Sequence, residues 1–282
     1  MISDTDLIIK GDNIYHINVN KDNVAETIIL VGDQDRVPLI SKYFDKITHK
    51  SQHREFVVHT GFYQGKYLSV ISTGIGTDNI DIVVNELDAI FNVDLKTRQI
   101  KENLTSLNLI RLGTCGTIRE EIPVDSIIVS DYAMGFDNLL SFYKDGYKFY
   151  QNTMHCSTAF NGYIVECSEE LRNLFPNQLH GITATFPGFY APQGRNLRID
   201  PDPISSGTLI NNLLKMEYNK VKVLNFEMET SALYGLAKLS GHKALTLCNV
   251  VANRATKEFT KDAETAVNNM IQIFLETIKN IK

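Results

Sequence analysis

The sequence predicts an α/β fold, a single domain with a central mixed, largely parallel β-sheet flanked by helices. Short, nearly continuously apolar runs rich in β-branched residues recur along the chain, as is typical of strands covered on both faces. Segments with helical spacing of apolar residues lie between them, and this alternation favours a largely parallel sheet. Because no repeat, low-complexity tract or Pro/Gly-rich linker interrupts the chain, we expect residues 1–282 to form one domain.

The individual elements follow from the same patterns. The predicted strands, in chain order, are TIILVGD (27–33), YLSVISTGIG (67–76), NLIRLGTCG (108–116), DSIIVSDYAM (125–134) and ALTLCNVVANR (244–254). The predicted helices are DRVPLISKYF (35–44), NIDIVVNELDAIF (79–91), ETSALYGLAKLS (229–240) and DAETAVNNMIQIFLETIKNI (262–281). The polar segment 93–108 is interpreted as a surface excursion, and 135–180 gives the weakest pattern. Several strands end in glycine or polar residues, where α/β folds place binding loops.

Composition excludes several classes of protein. Lys and Arg total 28 against 33 Asp and Glu, a net charge of −5, which argues against a nucleic-acid partner. No apolar run approaches the roughly 20 residues that span a bilayer, and we expect neither a membrane partner nor a signal peptide. The four cysteines lack the spacing of a zinc site and the density of a disulfide-rich secreted module. We therefore expect a cytoplasmic enzyme.

A glycine turn and three arginines are candidates for binding a small anion. Gly32 follows the first predicted strand and Arg36 opens a helix, so backbone N–H groups there could meet an anion. An ordinary turn with a surface arginine explains the same pattern. Arg54 follows in HREF, and Arg111 lies inside an apolar strand, where it either binds phosphate or forms a buried salt bridge. Thr114, Cys115 and Gly116 supply a hydroxyl and a backbone open to close approach.

Two further stretches carry unusual polar groups. NFEMETSAL brings Glu227 and Glu229 into a segment that otherwise has the pattern of a core helix, and buried carboxylates require partners. In FYAPQGR (189–195), Phe189 could stack on a planar base. Gln193 offers a donor and an acceptor and Arg195 only donors, which together complement a uracil edge. A polar Pro/Gly loop without a ligand is the other interpretation of this stretch.

Seven motifs in order give the sequence a resemblance to the uridine phosphorylases of the nucleoside phosphorylase superfamily. They are VGDQDR, SQHREF, STGIG, IRLGTCGTI, FYAPQGR, NFEMETSAL and NR. The resemblance extends from about residue 15 to the C-terminus and is weakest over 93–108 and 135–180. It implies a nucleoside phosphorylase-like fold.

The resemblance also implies roles for single residues. Phosphate-binding positions match Gly32, Arg36, Arg111 and Thr114, with Arg54 lent by an adjacent subunit. Ribose-binding positions match Met228 and Glu229, with His16 reaching across the interface, although His16 alone would pass for a surface histidine. Base-binding positions match Cys115, Gly116, Phe189, Gln193, Arg195 and Arg254. Glu227 is expected to be the structural partner of a buried arginine or of backbone amides.

The implied reaction is phosphorolysis of uridine to uracil and ribose 1-phosphate, as in pyrimidine salvage. Arg111, Thr114, Glu229 and Arg195 are its expected catalytic residues, inorganic phosphate is the co-substrate, and no cofactor or metal is required. A monovalent cation is implied near Glu55, Ile75 and Asn79, although serine is usual where Asn79 stands. The minimal unit implied is a homodimer, and a trimer of dimers is the larger assembly found among relatives.

Other activities remain open at the level of sequence. The chain could be a purine nucleoside phosphorylase or a nucleosidase of the same superfamily, or a catalytically silent nucleoside-binding relative. The retained arginines argue against a nucleosidase, which has no phosphate to bind. Purine enzymes end the last strand with Ser-Asp, where this chain has Asn253 and Arg254. The sequence does not separate uridine from thymidine or deoxyuridine, nor a dimer from a hexamer.

Overall fold

The structure, a computed structural model, describes residues 2–152, 154–155, 161–201 and 208–279. Its contacts divide the chain into two compact units that alternate along the sequence. One unit comprises Met1–Ile110 and Leu236–Lys243, and the other Arg111–Gly235 and Ala244–Lys282. In the described part of the chain, no helix is long and apolar enough to cross a membrane. The expectation of one domain over 1–282 stays a prediction.

The first unit contains four neighbouring strands of a mixed sheet, two separate two-stranded pairs and helices. Its strands are β1 (Ile9–Lys10), β2 (Asn13–Ile14), β3 (Thr27–Val31), β4 (Lys46–His53), β5 (Phe56–Tyr63), β6 (Lys66–Ser72), β7 (Val93–Asp94) and β8 (Gln99–Ile100). Its helices are α1 (Arg36–Ser41) and α2 (Thr77–Asn92). β3 pairs in parallel with β6, and β6, β5 and β4 continue as antiparallel neighbours. α1 packs against β5 and β6.

Apolar spacing explains both kinds of element in this unit. Residues 28–31 of β3 are all fully buried, as expected of a strand covered on both faces. α2 buries Ile80, Val83, Val84 and Leu87, which recur at the three- and four-residue intervals of one helix face.

The second unit contains the longer strands. They are β9 (Asn108–Thr117, which begins in the first unit), β10 (Ile127–Gly135), β11 (Met154–His155), β12 (Asn161–Glu166), β13 (Leu179–Thr185), β14 (Glu217–Tyr218), β15 (Val221–Glu227), β16 (Lys243–Asn253) and β17 (Glu258–Phe259). The helices are α3 (Glu169–Arg172), α4 (Thr208–Leu213), α5 (Thr230–Ser240) and α6 (Ala263–Ile278). The side chain of Asp262 caps α6 by accepting from the Thr265 N–H at 3.0 Å.

Three parallel strands of this unit end at the same level. β10 pairs in parallel with β13, and β13 in parallel with β15, so that Gly135, Thr185 and Glu227 are in register at the carboxyl ends. β12 and β16 pair antiparallel with β10, and β9 pairs antiparallel with β15. The α/β fold with a mixed sheet is therefore confirmed. Because α/β folds bind ligands at the carboxyl ends of parallel strands, we expect the binding site at this edge of the sheet.

Each predicted strand and helix is present within a few residues. The strand predicted at 67–76 ends at Ser72, and residues 280–281 of the last helix lie outside the described residues. Within the surface excursion 93–108, β7 and β8 form a short hairpin. β4, β5, β12, β13 and β15 were not predicted. β15 (VKVLNFE) interleaves lysine and asparagine with its apolar residues, so that it lacks a continuous apolar run.

Candidate active site

A buried ion-pair cluster lies beside the ends of the parallel strands. The Arg111 guanidinium pairs with the carboxylate of Glu229, and its Nη1 lies 3.2 Å from Oε2 of Glu227. Nη1 also donates to Cys248 Sγ at 3.5 Å. A methyl group on Gly113 would overlap the guanidinium, so glycine is required there for Arg111 to fold back along β9. The structure thus shows Arg111 in a buried salt bridge, and its binding of phosphate stays a prediction.

The charge of Arg111 is stabilised by its partners. Arg111 and Glu229 are each only 4% exposed. Burial by itself would lower the arginine pKa, but the carboxylates of Glu229 and Glu227 outweigh burial and raise it above its ordinary value. The Nε atom of Arg111 is buried and has no hydrogen-bond partner among the residues that the structure describes. The cluster therefore keeps a permanent cation and one unused donor inside the unit.

Glu227 holds the start of α5. Its carboxylate accepts from the backbone N–H of Glu229 at 2.9 Å and of Thr230 at 3.1 Å. It also accepts from the Thr185 hydroxyl at 2.7 Å. A helix start offers unpaired N–H groups and favours negative charge, so that a carboxylate suits this place. The expectation that Glu227 pairs with a buried arginine and with backbone amides is confirmed.

The predicted base-binding loop brings three of its residues together. The Arg195 guanidinium stacks on the Phe189 ring, with Cζ 3.6 Å from the ring centroid, and donates to the Phe189 carbonyl at 2.6 Å. It also donates to the side-chain oxygen of Gln193. Because a guanidinium has only donors, the amide oxygen of Gln193 must face it and the amide NH₂ must point away. One ring face of Phe189 is thus occupied, and the residue remains 48% exposed.

Arg254 donates hydrogen bonds to the backbone of this loop. Its guanidinium donates to the carbonyl of Gln193 and, at 3.1 Å, to that of Gly194. Its Cζ lies 5.7 Å from the Phe226 ring centroid, and that of Arg195 lies 5.9 Å from the same ring. Burial, followed by the charge of Arg254, lowers the pKa of Arg195. The structure therefore shows Arg254 binding loop carbonyls, whereas the sequence suggested contact with the base.

Asn253 is a structural residue. Its amide NH₂ donates to the carbonyls of Arg119 and Ile122 at 2.9 and 2.8 Å, and its oxygen accepts from the N–H groups of Ala255 and Thr256 at 2.9 and 3.2 Å. Every ordinary bonding position of this amide is used within the chain.

The other predicted residues of β9 and α5 differ in exposure. Thr114 and Met228 are half-buried. The Cys115 thiol is buried in a core cluster with Ile122, Cys248 and others, and burial raises its pKa. The side chain of Cys115 therefore packs in the core, and the binding of the base at this position stays a prediction. Gly116 faces the Phe226 ring, which a methyl group at this position would crowd at 3.0 Å.

In the first unit, β3 ends at Val31 and the chain turns into α1, as predicted. The Arg36 N–H donates to the Asp33 carbonyl at 3.1 Å, and the Asp35 N–H to Asp33 Oδ1 at 3.0 Å. Gly32 and Arg36 are half-buried. Their binding of phosphate stays a prediction.

The two residues expected to serve a neighbouring subunit both lie near the ring of Tyr15. The His16 ring contacts the Tyr15 ring edge-on at 4.9 Å, and Arg54 Cζ lies 5.9 Å from the centroid of the same ring. His16 Nδ1 bonds to Glu86 Oε1 at 2.6 Å, and Glu86 also accepts from the N–H groups of His16 and Ile17. Glu86 thus fixes both ring and backbone of His16. Sequence reasoning missed it, and a carboxylate within the apolar pattern of α2 was the signal.

The residues expected near a cation also meet in the first unit. The Asn79 amide donates to the Ile75 carbonyl at 3.3 Å, and the side chains of Glu55 and Asn79 both border Gly74. Ile75 is exposed. The carbonyl that would serve a cation is thus bonded to Asn79, and the binding of a cation stays a prediction.

Comparison with known proteins places these residues in a family. A family model described as "Phosphorylase superfamily" matches residues 26–279. The chain belongs to the phosphorylase superfamily. The prediction of a relationship to nucleoside phosphorylases is confirmed, and the match includes nearly all of the predicted site.

Members of the superfamily similar to this chain include enzymes for both base classes. A "Uridine phosphorylase" of Thermococcus kodakarensis is 33% identical over 250 residues, covering 89% of this chain and 81% of the relative. A "Purine nucleoside phosphorylase DeoD-type" of Bacillus cytotoxicus is 30% identical over 264 residues, covering 93% and 97%. A solved Trypanosoma brucei nucleoside phosphorylase, titled as showing uridine phosphorylase activity, superposes with a TM-score of 0.83 at 29% identity, covering 97% of this chain and 99% of that one.

Proposed function

We propose that this superfamily member is a uridine phosphorylase, which transfers ribose from uracil to inorganic phosphate. The observation that carries the proposal is the arrangement of Gln193 and Arg195 on Phe189. The Gln193 NH₂ and the Arg195 guanidinium present donors for the two carbonyls of uracil, and the second lone pair of the Gln193 oxygen accepts from N3–H. The 33% identity to a uridine phosphorylase supports the same substrate.

In the proposed reaction a phosphate oxygen forms a bond to C1′ as the bond from C1′ to uracil N1 breaks. The electron pair of the broken bond leaves with uracil, whose oxygens then gain negative charge. The positive charge of Arg195, reinforced by Arg254, stabilises that charge where it develops. The carboxylate of Glu229 accepts from the ribose hydroxyls and holds the sugar in place. The uracil anion then takes up the proton that the phosphate group releases, so that the products are uracil and ribose 1-phosphate, and the proposed chemistry requires no cofactor.

Phosphate is the co-substrate in this proposal. Gly32, Arg36, Arg111 and Thr114, with Arg54 from a second subunit, are proposed to hold it on the resemblance to relatives. His16 and Arg54 both lie near Tyr15, which supports the proposal that one subunit contributes both residues to the active site of its neighbour. On this proposal a homodimer is the smallest active unit. A cytoplasmic location is also proposed, supported by free thiols at Cys115, Cys167 and Cys248.

Purine release is disfavoured by the end of β16. A departing purine is helped by an acid near N7, but here Asn253 is fully bonded within the chain and Arg254 binds loop carbonyls. Neither residue offers a proton to a purine. This distinction matters because purine relatives are nearly as similar to the chain as the uridine phosphorylase is.

The deciding experiment is a base-release assay with uridine, thymidine, inosine and adenosine, each with and without phosphate. We expect uridine cleavage that depends on phosphate and yields ribose 1-phosphate. We also expect a preference over inosine of about 10⁴-fold or more in kcat/KM, since unpaired polar groups in such a site reject the wrong ligand strongly. Equal rates without phosphate, with free ribose as product, would refute phosphorolysis, and equal use of inosine would refute the pyrimidine assignment.

A further inference from the structure

Asp137 lies just beyond the end of β10, in the segment whose sequence pattern is weakest. Its carboxylate accepts from three donors, one of which lies within reach of both carboxylate oxygens. Oδ1 accepts from the Leu139 N–H at 2.9 Å and, with Oδ2, from the Tyr163 hydroxyl at 3.0 and 2.9 Å. Oδ2 also accepts from the Ser231 hydroxyl at 2.9 Å. These donors hold the carboxylate in position.

The hydroxyl of Tyr163 donates to the carboxylate of Asp137. Its ring lies over Gly135, where any side chain would overlap it, so that its hydroxyl reaches past the end of β10. Burial, and after it the charge of Asp137, raise the pKa of Tyr163 well above its usual value. The hydroxyl therefore stays protonated and serves as a donor.

Ser231 connects Asp137 to the first turn of α5, two residues after Glu229. The Ser231 hydroxyl binds Asp137, and its N–H donates to the Thr185 hydroxyl at 3.0 Å. The Thr185 hydroxyl in turn donates to the carboxylate of Glu227, which also accepts from the N–H of Glu229. The start of α5 is therefore held at two points. Glu227 binds its backbone, and Asp137 binds a side chain of its first turn.

We propose that Asp137 is a positioning residue for Glu229, acting through Ser231 and the first turn of α5. The inference rests on the proposed function, in which Glu229 binds ribose. Asp137 does not touch substrate in this scheme. It fixes the helix turn from which Glu229 projects, so that the carboxylate meets the ribose hydroxyls without first being ordered.

The test is a double-mutant cycle on uridine phosphorolysis, with Asp137→Asn, Glu229→Gln and the double variant. We expect Asp137→Asn alone to lower kcat/KM by about tenfold to a hundredfold, the equivalent of one hydrogen bond to a charged group. In the Glu229→Gln background the same change should lower it by less than about threefold, because the group being positioned is already altered. Asp145→Asn is the matched control and should match the parent, because Asp145 is a partly exposed aspartate of the same segment that pairs with Lys148.

The possible results distinguish failure of the positioning role from failure of the proposed function. Equal losses from Asp137→Asn in both backgrounds would overturn the proposal, because they would show that Asp137 acts independently of Glu229. If Asp137→Asn does not fold, Ser231→Ala replaces it in the cycle, since it removes the hydroxyl that links Asp137 to α5 and leaves both Asp137 and Tyr163 in the chain. A parent enzyme that does not cleave uridine would refute the proposed function instead.

Discussion

Replacing Glu227 by alanine tests whether one carboxylate organises the candidate site. The change removes the acceptor for the N–H groups of Glu229 and Thr230 and for the Thr185 hydroxyl, and one of the two anions beside Arg111. All of these donors are buried, so water does not replace the lost oxygen atoms.

The expected loss follows from these contacts. Removing one partner of a buried, hydrogen-bonded ion pair typically destabilises a protein by about 3–5 kcal/mol. Glu229 still balances Arg111 in the variant, which favours the lower part of that range, while the two orphaned N–H groups add to the loss. We therefore expect the free energy of unfolding to fall by about 3–5 kcal/mol, a large share of the roughly 5–15 kcal/mol of a typical domain.

Urea unfolding followed by far-UV circular dichroism measures this loss, and it suits a chain without tryptophan. Glu121→Ala is the control, because the side chain of Glu121 is exposed and its carboxylate lies 3.7 Å from the guanidinium of Arg119. That change should alter stability by no more than about 0.5 kcal/mol. A loss below about 1 kcal/mol for Glu227→Ala would show that the helix start is not held by this carboxylate, and the reasoning above would fail.

Three further predictions concern activity. Mixing Arg54→Ala with Glu229→Ala chains should restore part of the uridine phosphorolysis that each variant lacks, because one hybrid site carries both native residues. No recovery of activity after verified subunit exchange would contradict a site shared between subunits. Gln193→Ala should sharply reduce uridine turnover while the KM for phosphate changes little, and a parallel rise in the phosphate KM would argue against separate subsites. Gly113→Ala should lower kcat/KM by at least about a hundredfold, as loss of one charge-assisted contact does, because its methyl group displaces the guanidinium of Arg111; near-native kinetics would show that this arginine is dispensable.

Much of the fold followed from local apolar patterns. β3, β9, β10 and β16 are nearly continuous apolar runs, and such runs identify buried strands without knowledge of tertiary structure. β13 and β15 were missed because their polar residues, such as Thr183 and Asn225, bond to each other across neighbouring strands. A pattern based on hydrophobicity alone does not register polar side chains that are buried and paired.

The candidate site was predictable in its residue types but only partly in its contacts. The expectation that Glu227 is structural followed from the need to pair a buried carboxylate, and it is confirmed. Glu86 and Asp137 were not found, because their partners lie about 70 and 94 positions away in sequence. Contacts over such separations depend on strand order, which no local pattern specifies.

The ion pair between Arg111 and Glu229 has a consequence for how two ligands influence one another. In the chain without ligands, each of these side chains neutralises the other. On the proposed function, a nucleoside that engages Glu229 releases the arginine, and an anion that engages Arg111 releases the carboxylate. The second ligand then binds a side chain whose ion pair with the other is already broken. Each ligand therefore strengthens the binding of the other by the same factor. Thermodynamic coupling between the two substrates thus follows from a contact that the protein makes with itself.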